Sequence, residues 1–198
     1  MRIAGLLLAA GAGCRFGGCK QLALIEGKPL VRHALESLAP LFAEDLYIVL
    51  GAWREDIQPR VEDLAQVINH ADWRRGLGSS IARGVGEIEA RGRYAGIMVA
   101  LADQPRLAAD DFDQLVRHFD GDRIVAAHYA GAPGVPAIFP AAVFADLRRL
   151  HGDRGAKSIL LDSNREIDTV SLTAAATDID TEADIARHNR VATPGICV

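Results

Sequence analysis

Three charged side chains in this sequence stand where they can bind phosphate groups and a metal ion. Arg15 and Lys20 belong to a segment that has four glycines between positions 11 and 18. Glycine allows successive backbone N–H groups to turn toward one side and form a nest for phosphate oxygens, and the two cations add positive charge. Asp103 follows the apolar run YAGIMVALA and supplies a carboxylate that Mg2+ can use together with phosphate oxygens. The pattern predicts a site for nucleotide phosphates and Mg2+.

A purely structural interpretation of these residues is also available. A glycine-rich connection needs no ligand, and Asp103 shortly before Pro105 is typical of a residue that shapes a turn. The segment is neither the dinucleotide fingerprint, which needs a small residue in place of Phe16, nor a P-loop, which needs Lys where Cys19 stands. We favour phosphate binding because two cations in a loop after a buried strand are otherwise unexplained.

Two serines and two later aspartates are further candidates. Ser79 and Ser80 begin a predicted helix after a glycine-rich turn, so they can contact a nucleotide, cap the helix or do both. The segment DIDT at residues 178–181 adds two carboxylates, but Thr181 followed by Asp184 is typical of a helix cap. These residue types do not identify a ligand by themselves.

The elements that must position these residues alternate along the whole chain. Short apolar runs predict strands at residues 3–9, 46–51, 66–69, 96–102, 123–127 and 137–139. Amphipathic stretches predict helices at residues 29–41, 55–64, 79–90, 109–119, 141–150, 156–161 and 182–190. Residues 131–136 are predicted to be a loop from their glycine and proline content. This alternation predicts one α/β domain over residues 1–198, with a mostly parallel sheet and ligands at the carboxyl ends of its strands.

Composition restricts the partners and the compartment. The 198 residues carry a net charge of −4, so no general attraction to nucleic acid or to an anionic membrane is expected. Three cysteines, Cys14, Cys19 and Cys197, have no metal-ligand spacing and favour a reducing cytoplasm. The N-terminus also resembles an export signal ending at Cys14, but a single Arg precedes its apolar core and no polar tether follows. We therefore expect a cytoplasmic protein that keeps this segment.

Several segments in order resemble one known family. The stretch LAAGAGCRFGGCKQLALIEGKPL, followed by GLGSSIARGV, LADQPRL, GAPGVPAIF, LHGDRGAKSILL and DIDTEADI, is similar to the molybdenum cofactor nucleotidyltransferases and the wider NTP-transferase group. The likeness covers nearly the whole chain. The form LAAG resembles the cytidylyltransferase branch, whereas LAGG is usual in the guanylyltransferases.

The resemblance implies a fold, a reaction and a set of site residues. The fold would be a three-layer, Rossmann-like nucleotidyltransferase fold with a mostly parallel central sheet. The reaction would transfer CMP from CTP to the phosphate of molybdopterin or the molybdenum cofactor and release pyrophosphate, with transient contact to a molybdoenzyme chaperone. Arg15, Lys20 and Asp103 would be catalytic, and Asp103 with Asp180 would bind Mg2+. The implied nucleotide-binding residues are Ala9, Ala10, Gly11, Ala12, Gly13, Gly51, Ser79 and Ser80, and the implied acceptor pocket is formed by Gly134, Val135 and Pro136.

Departures from the family pattern leave other functions open. Relatives often have His or Asn in place of Val135, and Met in place of Phe16 and Gln104, so the acceptor is less defined than the nucleotide. A nucleotidyltransferase for a sugar or alcohol phosphate, a GTP-using relative, and a cofactor carrier that binds a nucleotide without turnover are the alternatives. Trp53 and Trp73 can stack on a base, but covering the edge of the core is the commoner role of such residues.

Overall fold

The computed structural model describes residues 1–162 and 165–192. Cys197 lies outside the described residues. The strands are β1 (Ile3–Ala9), β2 (Leu24–Ile25), β3 (Lys28–Pro29), β4 (Leu46–Leu50), β5 (Gln66–Asn69), β6 (Gly96–Leu101), β7 (Ile124–Tyr129), β8 (Ala132–Pro140) and β9 (Ile167–Ser171). The α-helices are α1 (Leu30–Phe42), α2 (Arg54–Ile57), α3 (Leu77–Arg91), α4 (Ala109–His118), α5 (Phe144–Arg148), α6 (Lys157–Leu160) and α7 (Glu182–Ala192).

Seven strands form the central sheet in the order β5-β4-β1-β6-β8-β7-β9. Every neighbouring pair is parallel except those of β8, which runs against β6 and β7. Because β1 lies between β4 and β6, the carboxyl ends of these three strands meet at one edge of the sheet. The predicted α/β fold with a mostly parallel sheet is confirmed.

Strand β1 shows how helices come to cover both faces. All but its first residue are buried, and successive side chains point to opposite faces. Leu7 joins a core with residues of α1 and α4, whereas Leu6 joins a second core with residues of α3, α5 and α6. The sheet is therefore the middle of three layers. The segment that resembles an export signal is this central strand.

Some predicted elements are shorter in the structure, and three strands are new. The predicted helix at 55–64 becomes α2 and a 3-10 turn at Gln58–Arg60, because Pro59 lacks the N–H that a helix interior requires. The predicted helix at 141–150 divides into the 3-10 turn Ala141–Val143 and α5. The short hairpin of β2 with β3 was not predicted, nor was β9, which pairs with β7 at the sheet edge.

The prediction of a loop at residues 131–136 is wrong. Only Ala130 and Gly131 form the turn, and both have positive φ values, 50° and 80°, as a tight two-residue hairpin requires. Strand β8 begins at Ala132 and shifts its register opposite Ala126 and Ala127. Val135 and Pro136 fall within this irregularity, where a proline can be tolerated inside a sheet.

No helix among the described residues has the length and apolar character needed to cross a lipid bilayer.

Candidate functional site

A cavity of about 470 Å³ opens where β1 and β6 end. This volume is in the range of small-molecule sites. Its charged half consists of Arg15, Lys20, Asp103 and Asp180. Its apolar half consists of Leu8, Ala10, Trp73 and Leu77. The remaining lining residues are Ala9, Gly11, Gly13, Cys14, Phe16, Gln21, Leu30, Arg74, Gly76, Ser80, Leu101, Ala102 and Asp153.

The charged half brings the predicted cations and acids into direct contact. Lys20 Nζ lies 2.8 Å from Asp103 Oδ2 and 3.3 Å from Asp180 Oδ1. Arg15 reaches the other oxygen of Asp180 at 2.9 Å. The Lys20 side chain is 15% exposed, whereas that of Arg15 is 80% exposed. One cation is thus fixed at the base of the site, and the other stands in solvent where an incoming anion can meet it.

The glycine-rich segment between β1 and Lys20 folds as a compact turn. Gly13 has a φ of 66°, and a Cβ there would lie 2.6 Å from the Gly18 carbonyl oxygen, so no larger residue fits. The Phe16 N–H donates to the Gly13 carbonyl at 2.8 Å. The amides of Cys14 and Arg15 make no hydrogen bond to any residue within 1–162 and 165–192. These two N–H groups remain available for phosphate oxygens.

A buried glutamine holds this turn against the sheet. Gln21 is 5% exposed, and its Nε2 donates to the carbonyl oxygens of Ala9 at 3.1 Å and Gly11 at 2.8 Å. Trp53 adds a further tie, since its Nε1 donates to the Ala12 carbonyl at 2.9 Å. Ala12 is the one member of the predicted loop set, Ala9 to Gly13, that does not line the cavity.

The segment that carries Asp180 is attached to the end of β6. The Ile179 N–H donates to the Asp103 carbonyl at 2.9 Å, and the Ile179 side chain is buried with Ile25 and Leu30. Beyond it, Asp184 accepts hydrogen bonds from the Asp180 N–H at 3.1 Å and the Thr181 N–H at 2.9 Å. The predicted helix cap is therefore present. A hydrogen bond from the Thr181 hydroxyl to Asp184 at 2.8 Å, followed by the two backbone bonds, lowers the pKa of Asp184. Capping by Asp184 leaves the Asp180 carboxylate turned to the cavity cations.

The donor atoms of the charged half fit Mg2+. Asp103 Oδ1 is buried and has no hydrogen-bond partner in the described part of the chain, so one oxygen of this carboxylate is unsatisfied. No group of three or more His, Cys, Asp or Glu side chains forms a metal site within the described residues. Mg2+ does not need one, because it takes one or two carboxylates and completes its shell with phosphate oxygens and water.

Asp178 lies beside this pair of acids. Although the residue as a whole is exposed, partial burial of its carboxyl group, together with the nearby Asp103 carboxylate, raises the pKa of Asp178. A raised pKa is the response expected of an acid close to other acids. Asp178 thereby adds to the negative charge that a metal ion would offset.

Gly51 packs against Trp73, a residue of the apolar half, from outside the cavity. A Cβ on Gly51 would lie 2.6 Å from Trp73 Cβ and 2.7 Å from the Ala10 carbonyl oxygen. The absence of a side chain thus lets Trp73 pack against the end of β1. Gly51, which was predicted to bind nucleotide, does not line the cavity, whereas Trp73 does.

The two predicted serines point to different surroundings. Ser80 is 4% exposed and lines the cavity. The Ser79 hydroxyl donates to the Gly76 carbonyl at 2.7 Å and lies 2.9 Å from His70 Nε2. A hydroxyl has one proton, so His70 Nε2–H must be the donor to Ser79. Ser79 therefore stabilises the turn before α3 and lines a separate depression.

The predicted acceptor residues are not part of the cavity lining. Gly134, Val135 and Pro136 lie within β8. The Val135 carbonyl accepts a hydrogen bond from the Tyr129 hydroxyl at 3.0 Å. Gln104, 2% exposed, donates to the carbonyls of Ala175 at 2.8 Å and Val135 at 3.4 Å. Gln104 directly follows Asp103 and thus links this end of β6 to β8. The role of β8 in acceptor binding stays a prediction.

Sequence reasoning missed the roles of Gln21, Arg74 and Leu77. Gln21 directly follows Lys20, and its position after a glycine-rich turn was the available signal. Arg74 and Leu77 carried none, because only the packing of the 70–77 segment beside β4 brings them to the cavity.

The model of the MobA-like NTP transferase domain matches residues 5–168. A protein named nicotine blue oxidoreductase, from Paenarthrobacter nicotinovorans, is 32% identical over 198 residues, which cover 93% of this chain and 95% of that protein.

Solved structures share the fold. Rv0371c from Mycobacterium tuberculosis H37Rv has a TM-score of 0.82 and 26% identity over 96% of this chain and 99% of that chain. Its complex with manganese has a TM-score of 0.78 at 24% identity, over the same shares of each chain. Molybdopterin-guanine dinucleotide biosynthesis protein A from Archaeoglobus fulgidus has a TM-score of 0.69 and 19% identity, over 97% and 98%. By the match of its sequence, this chain belongs to the MobA-like NTP transferase family.

Proposed function

We propose that this protein is a Mg2+-dependent cytidylyltransferase that transfers CMP from CTP to the phosphate of molybdopterin or its molybdenum-loaded form. One observation carries the proposal. Lys20, from a glycine-rich turn with free amide groups, lies between Asp103 and Asp180 at the end of the central strands. A phosphate nest, a partly buried cation and two carboxylates are the groups that transfer of a nucleotidyl group requires.

The reaction needs positioning and charge stabilisation more than a strong base. An oxygen of the acceptor phosphate attacks the α-phosphorus of the nucleotide, and the bond from the α-phosphorus to the oxygen that bridges the α- and β-phosphates breaks. A phosphate monoester is already anionic at neutral pH. Arg15, Lys20 and the free amides of the turn then stabilise the negative charge on the departing pyrophosphate. When bound by Asp103 and Asp180, Mg2+ would supply further positive charge to the phosphates.

The ion pairs of the free site imply an exchange of partners on binding. Lys20 and Arg15 are neutralised by Asp103 and Asp180 in the structure. Arrival of the triphosphate gives the two cations anionic partners of their own, and their release frees both carboxylates for the metal ion. Nucleotide and metal should accordingly strengthen each other's binding. The crystallised complex of the related Rv0371c with manganese is consistent with a divalent ion in this fold.

The choice of CTP and of the acceptor rests on the sequence likeness. The LAAG form of residues 8–11 resembles the cytidylyltransferase branch. A sugar or alcohol phosphate as acceptor, GTP as donor, and nucleotide binding without turnover are the other outcomes of the assay.

The test is incubation with Mg2+, each NTP separately, and molybdopterin with or without molybdenum. Pyrophosphate and nucleotide-linked pterin are measured together. We expect both products with CTP only. Pyrophosphate release with a different phosphorylated acceptor would show that molybdopterin is not the acceptor. CTP binding with no product from any acceptor would support a cofactor carrier that binds nucleotide without turnover.

A second candidate follows from the near full-length likeness to nicotine blue oxidoreductase. The same phosphate nest would then hold the phosphates of a redox nucleotide, and a reduced aromatic compound would be the product. Oxidation of NADH or NADPH by an aromatic dye, measured by loss of reduced-nicotinamide absorbance, distinguishes the two. Turnover of the dye that does not require Mg2+, without pyrophosphate formation from CTP, would favour this candidate.

A further inference from the structure

The two tryptophans of the sequence have different surroundings. Trp53 donates its indole N–H to the Ala12 carbonyl and packs against the first core. Trp73 lines the cavity, and the guanidinium of Arg74 lies over its ring at 4.5 Å from the centroid. Trp53 is therefore a structural tie, whereas Trp73 presents a ring face that already accepts a planar partner.

The place of Trp73 in the fold separates it from the phosphate-binding groups. It follows β5 and packs on Gly51 at the end of β4, whereas Asp103 follows β6 on the other side of β1. Leu77, which is 40% exposed, lines the same half of the cavity. The half-buried indole of Trp73 and the exposed Leu77 side chain offer no partner to a phosphate, but they suit a flat, weakly polar ring.

We propose that Trp73 is the stacking surface for the nucleobase, which lies on the ring face now covered by Arg74. This inference rests on the nucleotide binding of the proposed function. A triphosphate bound at the glycine-rich turn would direct its base away from Asp103, across the end of β1 and toward Trp73. Stacking on an aromatic side chain tolerates any base, so Trp73 would add affinity without selecting cytosine.

The test separates base contacts from phosphate contacts by using two probes. Binding of CTP and of inorganic tripolyphosphate is measured by calorimetry, with Mg2+, for the unaltered protein and for Trp73→Leu and Trp73→Phe. We expect Trp73→Leu to weaken CTP binding about tenfold or more and to leave tripolyphosphate binding unchanged, because one stacked base is lost. Trp73→Phe should recover most of the CTP affinity.

Fluorescence gives an independent readout. Because the sequence has two tryptophans, Trp53→Phe leaves Trp73 as the only indole. Its emission should be quenched by CTP and not by tripolyphosphate. Equal CTP affinity of Trp73→Leu and the unaltered protein would overturn the inference while leaving the proposed function intact. Equal weakening of both probes would overturn it too, since Trp73 would then support the phosphate site. An unaltered protein that binds tripolyphosphate but no nucleotide would overturn both.

Discussion

In the charged half of the cavity, four side chains neutralise one another through ion pairs, of which Arg15 with Asp180 is the most distant in sequence. In the apolar half, Trp73 and Leu77 present uncharged surface, and each lies close to a glycine, Trp73 to Gly51 after β4 and Leu77 to Gly155. The charged half can exchange its internal ion pairs for contacts with phosphates and a metal ion, whereas the apolar half can pack against a flat ring. We infer that the charged half determines turnover, whereas the apolar half determines affinity.

The largest expected effect comes from removing a member of the charged half. Lys20→Ala or Asp103→Asn should lower the rate of pyrophosphate release by about 10²- to 10³-fold, because each removes charge stabilisation from the transition state. Lys28→Ala is the matched control, since Lys28 pairs with Glu36 outside the cavity and should leave the rate unchanged. Full activity of either cavity variant would remove that residue from the mechanism.

Overpacking the apolar half should come next. Gly51→Ala places a Cβ against Trp73 and Ala10, so we expect the free energy of unfolding to fall by about 1–3 kcal/mol. Gly86→Ala in α3 is the control, because a Cβ there has no neighbour within 4 Å and alanine favours a helix. Urea unfolding measures both. A Gly51→Ala protein as stable as the unaltered one would show that Trp73 is not fixed by this contact.

The exchange of ion-pair partners in the charged half predicts that removal of the Lys20 charge changes the affinity for a divalent metal ion by about tenfold. Lys20→Met should bind Mn2+ more tightly than the unaltered protein when no nucleotide is present, because the carboxylates lose a competing cation. Electron paramagnetic resonance of free Mn2+ gives the affinity. Weaker metal binding by Lys20→Met would contradict the exchange and make Lys20 a structural support for the carboxylates.

The residues of the charged half could be predicted from the sequence, whereas the packing that forms the apolar half could not. The charged half follows from local chemistry, because Arg15, Lys20 and Asp103 belong to motifs in which residue type and position are both informative. The apolar half depends on how the 70–77 segment packs beside β4, which no periodicity encodes. The loop predicted at 131–136 fails for a related reason, since a two-residue turn and an irregular strand pairing accommodate the prolines inside β8.

The smallest expected effect concerns His70, whose ring donates a hydrogen bond to Ser79 outside the cavity. Burial lowers the pKa of His70 from 6.5, so its folded-state pKa lies below the unfolded value. The neutral ring then contributes stability that is present above about pH 6.5 and is lost as the pH falls through the folded-state pKa. Melting temperatures between pH 7.5 and pH 5 should fall less for His70→Asn than for the unaltered protein. Parallel pH profiles would show that this histidine does not sense pH.

The hydrogen bond from Ile179 to Asp103 bears on the order in which the site is assembled during synthesis. The ribosome makes the glycine-rich turn before the segment with Asp180, and domains begin to fold from the N-terminus. Until Ile179 docks, the nascent chain holds one carboxylate and two cations, a site with excess positive charge. The finished balance of charge is reached only when Asp180 has emerged, so a nascent chain that stops before this residue would lack a complete charged half.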